Sequence, residues 1–318
     1  MMKGVFLDRK TFNPDIDTQG IASQLTDYRE FAMTQAEQVQ ERIAGVEVVI
    51  TNKVVISREH MKACPELKLI CVAATGTNNV DLEAAEALGI AVCNVANYGT
   101  STVAQHVITL LLMLATNAAN YDRDVKRGKW QQSDIFCLLD HPIVELSGKT
   151  LGLIGVGNIA NSVAQAATGL GMKVVFGERK GATSLRIGRV SFETLVQQSD
   201  AISIHCPLNE QTADLFNADT LSAMKPSAFL INCARGGIVN EHDLVAALKQ
   251  KEIAGAALDV ASVEPIREDN PLLSYKGNNL IITPHSAWAS AEAMQRLIDD
   301  IGVSIESYRQ SESYSRVV

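Results

Sequence analysis

A glycine-rich turn between an apolar strand and a helix constrains the fold of this chain more than any other stretch. Residues 150–180 read TLGLIGVGNIANSVAQAATGLGMKVVFGERK, with a strand, a turn, a helix and a second strand in sequence. Gly155 permits a tight turn, Gly157 lets the backbone approach a ligand, and Ala160 stands at the third position of a G-x-G-x-x-G/A pattern. The stretch therefore predicts a βαβ unit with parallel strands.

An acidic residue after the second strand indicates which kind of ligand this turn binds. The backbone amides of Asn158 and Ile159 open the helix, whose positive end favours phosphate groups. Glu178 follows roughly 20 residues later, where a carboxylate binds the ribose hydroxyls of NAD. Arg179 and Lys180 come next, and an arginine there can receive the 2′-phosphate of NADP. Since Glu178 repels that phosphate, the pattern favours NAD, with NADP as the alternative.

Alternation of apolar runs and helical segments extends over the whole chain. Four strand-like runs occur in the first hundred residues, and six more follow residue 149. This rhythm predicts an α/β protein with two doubly wound parallel sheets. Between them lie one long helix, from about Ser101 to Asn120, and an irregular region. The C-terminal stretch predicts an amphipathic helix with Met294, Leu297, Ile298, Ile301 and Ile305 on one side.

Composition excludes several classes of function. The 318 residues carry a formal net charge of −8 and no basic block, which argues against a nucleic-acid partner. The most apolar stretch contains Gln105 and His106 and is shorter than a membrane span, so it predicts a buried helix. The N-terminus lacks a signal-peptide pattern. Six widely spaced cysteines without a CxxC pair indicate a reducing cytoplasm and no metal site.

Three later strand ends carry polar side chains that can act together. Arg235 ends the run AFLINCARGG, Glu264 follows GAALDVASVEP, and His285 ends LIITPH. In an open parallel sheet, ligands bind outside the carboxyl ends of the strands. Arg235 suits a carboxylate and a carbonyl oxygen, while His285 can donate a proton with Glu264 orienting and stabilising its charged ring. With a nicotinamide, this trio predicts interconversion of 2-keto and 2-hydroxy acids.

These motifs resemble those of the D-isomer-specific 2-hydroxyacid dehydrogenases. LGLIGVGNIA, MKPSAFLINCARGGIVNEHDL and GAALDVASVEP with LIITPHSAWAS occur in the family's order, and the resemblance covers nearly the whole chain. Within the family, the chain is most similar to the glycerate dehydrogenase (hydroxypyruvate reductase) group. The resemblance implies a discontinuous flavodoxin-like substrate domain, residues 1–99 and 288–318, and a Rossmann cofactor domain, residues 100–287, with a cleft between them.

The resemblance also implies roles for individual residues. Arg235, Glu264 and His285 would be catalytic, and the backbone amides of Thr75 and Gly76 would bind the substrate carboxylate together with Arg235 and His285. A homodimer would form through the region around Trp130. The implied cofactor-binding residues are Thr102, Gly155, Gly157, Asn158, Ile159, Glu178, Cys206, Pro207, Thr212, Cys233, Ala234, Arg235, Asp259 and His285.

Some features depart from the family pattern, and two alternatives stay open. Gln105 stands where the family usually has a glutamate, Ile266 where a proline is common, and Cys233 where threonine is frequent.

The substrate could be another small acid, such as glyoxylate, lactate or phosphoglycerate, whereas Glu264 argues against formate. A second class, a cofactor-sensing protein like the corepressors of this fold, would need a peptide-binding surface that the sequence does not indicate.

Overall fold

The chain forms two compact α/β units in a computed structural model that describes residues 2–318. The first unit consists of Met1–Gly99 and Ala289–Val318, and the second consists of Thr100–Trp288. Each unit has one parallel sheet with helices around it. This architecture confirms the predicted fold class, whereas the roles of the two units stay predictions.

The first unit is built on a five-stranded parallel sheet in the order β2-β1-β3-β4-β5. Its strands are β1 Met2–Phe6, β2 Leu25–Glu30, β3 Val48–Thr51, β4 Leu69–Val72 and β5 Ala91–Asn94. Its helices are α1 Gln19–Ala22, α2 Val39–Ile43, α3 Arg58–Lys62, α4 Leu82–Leu88 and the C-terminal α12 Ala291–Arg309. This strand order is the flavodoxin-like one.

Burial explains which strands of the first unit the sequence reveals. Strands β3 and β4 are buried along their whole length, so they read as continuous apolar runs. Strand β2 lies at the sheet edge, and only Leu25 is buried in it, so its sequence LTDYRE gives no apolar signal. The sequence prediction missed this strand for that reason.

The second unit has a seven-stranded parallel sheet in the order β12-β11-β10-β9-β6-β7-β8. Its strands are β6 Thr150–Ile154, β7 Lys173–Gly177, β8 Arg189–Val190, β9 Ala201–Ile204, β10 Phe229–Asn232, β11 Gly255–Leu258 and β12 Leu280–Ile282. Its helices are α5 Thr100–Thr116, α6 Ala118–Lys126, α7 Asn158–Gly169, α8 Phe192–Gln198, α9 Ala218–Ser222, α10 Glu241–Gln250 and α11 Pro271–Ser274. The strand order reverses between the parallel neighbours β6 and β9: β7 and β8 lie on one side, and β10, β11 and β12 lie on the other. Folds of this type bind dinucleotides at such a point.

The single long helix predicted from about Ser101 to Asn120 is wrong near its end, where the chain bends at Asn117. Helix α5 ends at Thr116, Asn117 adopts a left-handed conformation with φ of 53°, and α6 continues at an angle of 61°. Asn117 also donates to the Pro142 carbonyl.

In the described part of the chain, no single helix is long and apolar enough to cross a membrane. The bent α5–α6 pair, taken together, has the length and composition of a span.

Helix α12 confirms the predicted amphipathic helix. It begins after Ser290, whose side chain accepts from the Ala293 amide and so satisfies an end group of the helix. All five predicted apolar residues on its inner face are buried. It belongs to the first unit, where it packs against α1.

Candidate active site

Arg235 lies directly beyond β10 at the carboxyl edge of the second sheet. The buried Asn232 fixes this turn, since its side chain accepts from the Ala234 amide and donates to the Arg235 carbonyl. The Arg235 guanidinium donates to the Ala234 carbonyl at 2.7 Å. The side chain is exposed, and no carboxylate of residues 2–318 forms an ion pair with it. Its remaining donors can therefore receive an anion.

The two glycines after Arg235 bring its turn against the loop that follows β11. A Cβ atom at Gly236 would overlap the Ala261 carbonyl, so only glycine permits this approach. Gly237 has φ of 79°, a left-handed conformation that favours glycine. The structure shows that Gly236 makes room for the backbone of the loop that carries Glu264.

Glu264 and His285 form a close hydrogen-bonded pair. Nδ1 of His285 lies 2.6 Å from Oε2 of Glu264, while Oε1 of Glu264 accepts from the Ala261 amide at 3.1 Å. Glu241, the first residue of α10, accepts from Ser262 and Asn270 and so holds the same loop from its other side. Because Glu264 occupies Nδ1, the Nε2 atom of His285 is left for a reacting group.

Asp259 anchors the segment that carries His285. Its buried carboxylate accepts from the Thr283 hydroxyl at 2.5 Å and from the backbone amides of Ser286 and Ala287. Nε2 of His106, on α5, lies 3.1 Å from the Thr283 hydroxyl. The sequence prediction treated Asp259 only as a cofactor residue and did not find its contact with Thr283, because the two are 24 positions apart.

A cavity of about 340 Å³ lies beside the glycine turn. Gly155 has φ of 89°, and a Cβ atom there would meet the backbone of His205 and Cys206. The glycine turn is therefore in contact with the loop that follows β9. Nothing lies within 4 Å of a Cβ built at Gly157, which leaves the start of α7 open to a ligand. The predicted cofactor residues that line this cavity are Gly155, Gly157, Glu178, Cys206, Pro207 and Thr212.

Glu178 is held by an arginine that the sequence prediction did not identify. Arg186 donates from Nε to Oε2 of Glu178 at 2.7 Å and from Nη2 to Oε1. The Arg186 side chain, together with the Arg179 amide, holds the pKa of the Glu178 carboxyl well below its usual range. Arg179, the neighbour singled out from sequence, supplies this backbone N–H, and its side chain forms no ion pair with Glu178 in residues 2–318.

The other predicted residues occupy several places. Cys233 and Ala234 lie in the Arg235 turn, and burial raises the pKa of the Cys233 thiol. Thr102 lies in the first turn of α5. In the first unit, Thr75 and Gly76 follow β4. Within residues 2–318 their backbone N–H groups donate to no acceptor.

These features define a class of protein. A parallel sheet with an open glycine turn and a carboxylate directly after the second strand of the βαβ unit fits a dinucleotide. At the same sheet edge, a histidine paired with a carboxylate can transfer a proton, and an unpaired arginine can hold an anion. The second unit is that of a nicotinamide-dependent oxidoreductase.

Comparison with known proteins identifies the family. Residues 108–287, more than half of the chain, match the NAD-binding domain of the D-isomer-specific 2-hydroxyacid dehydrogenases. The chain therefore belongs to this family and is an NAD-dependent dehydrogenase.

Full-length relatives share the sequence and the fold. A glycerate dehydrogenase of Methylorubrum extorquens is 42% identical over 307 residues, which is 96% of either chain. A hydroxypyruvate reductase of Blautia hydrogenotrophica is 38% identical and aligns over 96% of this chain and 97% of its own. The crystal structure of an NADPH-dependent glyoxylate/hydroxypyruvate reductase of Sinorhizobium meliloti has a TM-score of 0.84 at 25% identity, covering 99% of this chain and 98% of that one.

Proposed function

We propose that this protein interconverts hydroxypyruvate and D-glycerate with NAD as its cofactor. One observation carries the chemical part of the proposal: the 2.6 Å contact between His285 and Glu264 beside an arginine that is free to bind an anion. The names of the relatives support the choice of substrate.

The proposed mechanism assigns one task to each member of the trio. Arg235 binds the substrate carboxylate and the keto oxygen through its planar fork of donors. Nε2 of His285 donates a proton to that oxygen as it gains negative charge. Glu264 holds Nδ1 and favours the protonated ring. The nicotinamide, when bound, supplies the hydride that reduces the keto carbon.

Binding of the remaining substrate and cofactor groups is assigned as follows. The unpaired amides of Thr75 and Gly76 are donors suited to a carboxylate, which supports a role in substrate binding. Asn158 and Ile159 begin α7 directly after Gly157, and backbone N–H groups at a helix start are suited to the pyrophosphate. The proposal keeps every other predicted cofactor residue: Thr102, Gly155, Gly157, Glu178, Cys206, Pro207, Thr212, Cys233, Ala234, Arg235, Asp259 and His285.

A substrate panel tests the proposal. The purified protein is mixed with NADH and, in turn, hydroxypyruvate, glyoxylate, pyruvate and 3-phosphohydroxypyruvate, and nicotinamide absorbance is followed. We expect the highest kcat/KM for hydroxypyruvate. A higher kcat/KM for another acid would replace the substrate but keep the reaction. NADH binding without turnover of any acid would instead indicate a cofactor-sensing protein.

We also infer a homodimer. Five apolar side chains in the segment 130–143 are largely exposed, which is typical of an interaction surface: Trp130, Ile135, Phe136, Leu139 and Ile143. Light scattering should give twice the chain mass, and a Phe136→Ser, Leu139→Ser variant should give a monomer. Ile187→Ser, which removes another exposed apolar side chain, should leave the mass unchanged.

A cytoplasmic location completes the proposal. All six cysteines are free thiols, as expected in a reducing compartment. Fractionation of cells that produce the protein should recover it with cytoplasmic marker enzymes, and recovery with membranes or secreted protein would contradict this location.

A further inference from the structure

His285 adopts a backbone conformation that residues with a side chain rarely occupy. Its φ is 52°, in the left-handed region. A residue keeps such a conformation only where the surrounding contacts hold it there, and positions of this kind cluster at functional sites. The imidazole extends from this backbone, so the contacts that fix the backbone also determine where Nε2 of His285 lies.

The buried carboxylate of Asp259 holds the chain on both sides of His285. Its Oδ1 atom accepts from the Ser286 amide at 3.0 Å, and its Oδ2 atom accepts from the Ala287 amide at 2.8 Å. On the other side, the Thr283 hydroxyl donates to Oδ1 of Asp259 at 2.5 Å. The Thr283 carbonyl in turn accepts from the His285 amide at 3.0 Å. The orientation of Thr283 therefore bears directly on the position of His285.

The ring of His106 contacts this arrangement from helix α5. Its Nε2 atom lies 3.1 Å from the Thr283 hydroxyl oxygen and 3.5 Å from Oδ1 of Asp259. The single proton of the hydroxyl is directed to Asp259, because two oxygen atoms at 2.5 Å would repel each other without a proton between them. The Thr283 oxygen must then accept from His106, so Nε2 of His106 carries a proton.

Helix α5 gives this donor a fixed position. His106 lies in the second turn of α5, which packs against β10 and β11. Its neighbours Val107 and Leu110 are buried in the core of the second unit, and the His106 side chain itself is mostly buried. A hydroxyl that donates to one group and accepts from another is held in a single rotamer. His106 thus fixes the orientation of Thr283.

We propose that His106 is a positioning residue for proton transfer, which acts through Thr283 and Asp259 on the ring of His285. This inference rests on the role of His285 in the proposed function and deepens it. His106 itself neither gives nor takes the proton of the reaction. Loss of its N–H donor should leave the protein folded and able to bind NADH, but should displace Nε2 of His285 from the substrate oxygen.

Steady-state kinetics of hydroxypyruvate reduction compare three variants of the full-length protein. His106→Leu removes the donor, and we expect kcat to fall by about 10- to 10²-fold, as for a small displacement of a reacting group. His106→Gln keeps a side-chain N–H donor and should restore most of kcat. Gln105→Leu places the same apolar side chain at an exposed position one residue earlier and should behave as wild type. The KM for NADH should stay near the wild-type value in all three.

A double-mutant cycle tests whether His106 acts through Thr283. Thr283→Val keeps the shape of the side chain but removes the hydroxyl, and by itself it should also lower kcat. Addition of His106→Leu should then lower kcat by only about twofold or less, because the contact is already lost. The solvent deuterium isotope effect on kcat should increase in both single variants, since proton transfer becomes the slower step. A general loss of packing would not slow this step selectively.

Proton NMR observes the position of His285 without turnover. The proton between Nδ1 of His285 and Glu264 lies in a contact of 2.6 Å, and a strong hydrogen bond of this kind gives a resonance at low field. Its absence from His285→Ala assigns it. We expect the resonance in the wild type and in His106→Gln, and its shift or loss in His106→Leu.

The outcomes are distinct. Wild-type kcat with an unchanged low-field resonance in His106→Leu would overturn the inference, and so would additive losses of kcat in the double-mutant cycle. If the wild type reduces none of the acids but its low-field resonance still depends on His106, the positioning of His285 holds and the proposed function fails.

Discussion

Gly236 and Ala261 approach so closely that position 236 has no space for a side chain. Gly236 follows Arg235, and Ala261 donates its amide to Glu264. This contact therefore joins the turn that carries Arg235 to the loop that carries Glu264, the hydrogen-bond partner of His285. The relative placement of two proposed catalytic groups depends on the absence of one methyl group.

A Gly236→Ala substitution should separate these loops. Because the new methyl group would overlap backbone atoms, which cannot rotate away, we expect kcat/KM to fall by about 10²-fold, as for a small displacement of reacting groups. Steady-state kinetics with hydroxypyruvate and NADH measure the change. Gly169→Ala is the matched control, since a Cβ there meets nothing within 4 Å. Equal kinetics for the two variants would mean that the loop contact does not position the site.

Replacement of His285 with Ala should remove the proton donor. We expect kcat to fall by about 10²–10⁴-fold, the usual contribution of one general acid. NADH affinity, measured by fluorescence titration, should stay near the wild-type value because the proton is needed only in the transition state. His242→Ala, which removes an exposed histidine of α10, should behave as wild type. Retention of kcat in His285→Ala would exclude His285 from proton transfer.

Replacement of Glu264 with Gln should change the pH dependence of the reaction. The amide oxygen can still accept from the Ala261 amide, so the main change is loss of the negative charge beside His285. Without that charge, the protonated ring is less favoured and persists only at lower pH. The descending limb of keto-acid reduction should therefore move to lower pH.

Hydroxy-acid oxidation provides an independent measurement of the same coupling. This direction needs the neutral ring, so its ascending limb should move to lower pH in Glu264→Gln by the same amount. If both limbs stay in place, the carboxylate does not control the charge of His285.

The sequence predicts the catalytic trio because of a topological rule. Arg235, Glu264 and His285 are far apart in the chain, but each follows a strand of one parallel sheet, and the carboxyl ends of such strands share an edge. Their presence on that edge thus follows from strand order. The close approach of Gly236 to Ala261 does not follow from strand order, because it depends on the path of two loops that have no repeating pattern.

The features that the prediction from sequence did not identify share a different cause. Arg186 contacts Glu178, which lies eight positions earlier in the chain, across an irregular loop. No periodicity or motif indicates which of several nearby arginines makes this contact. Asn117 ends α5 by adopting a left-handed conformation inside a segment of helical composition. In both cases, tertiary contacts outweigh local preference.

His205 should make the protein sensitive to mild acid. Its imidazole is desolvated beside the glycine turn, and this lowers its pKa to about 4. Between about pH 6.5 and pH 4, the unfolded chain then binds a proton that the folded chain does not, so the free energy of unfolding decreases as the pH falls. Because the residue keeps some exposure, we expect a loss of about 1 kcal/mol or less per pH unit. Urea denaturation from pH 7.5 to pH 4.5 measures this loss of stability.

Two histidine variants provide the comparison. His205→Gln, which cannot bind this proton, should show a smaller decrease in the free energy of unfolding. His242→Gln, at an exposed position, should follow the wild type. Parallel curves for wild type and His205→Gln would show that His205 does not titrate differently in the folded and unfolded chains.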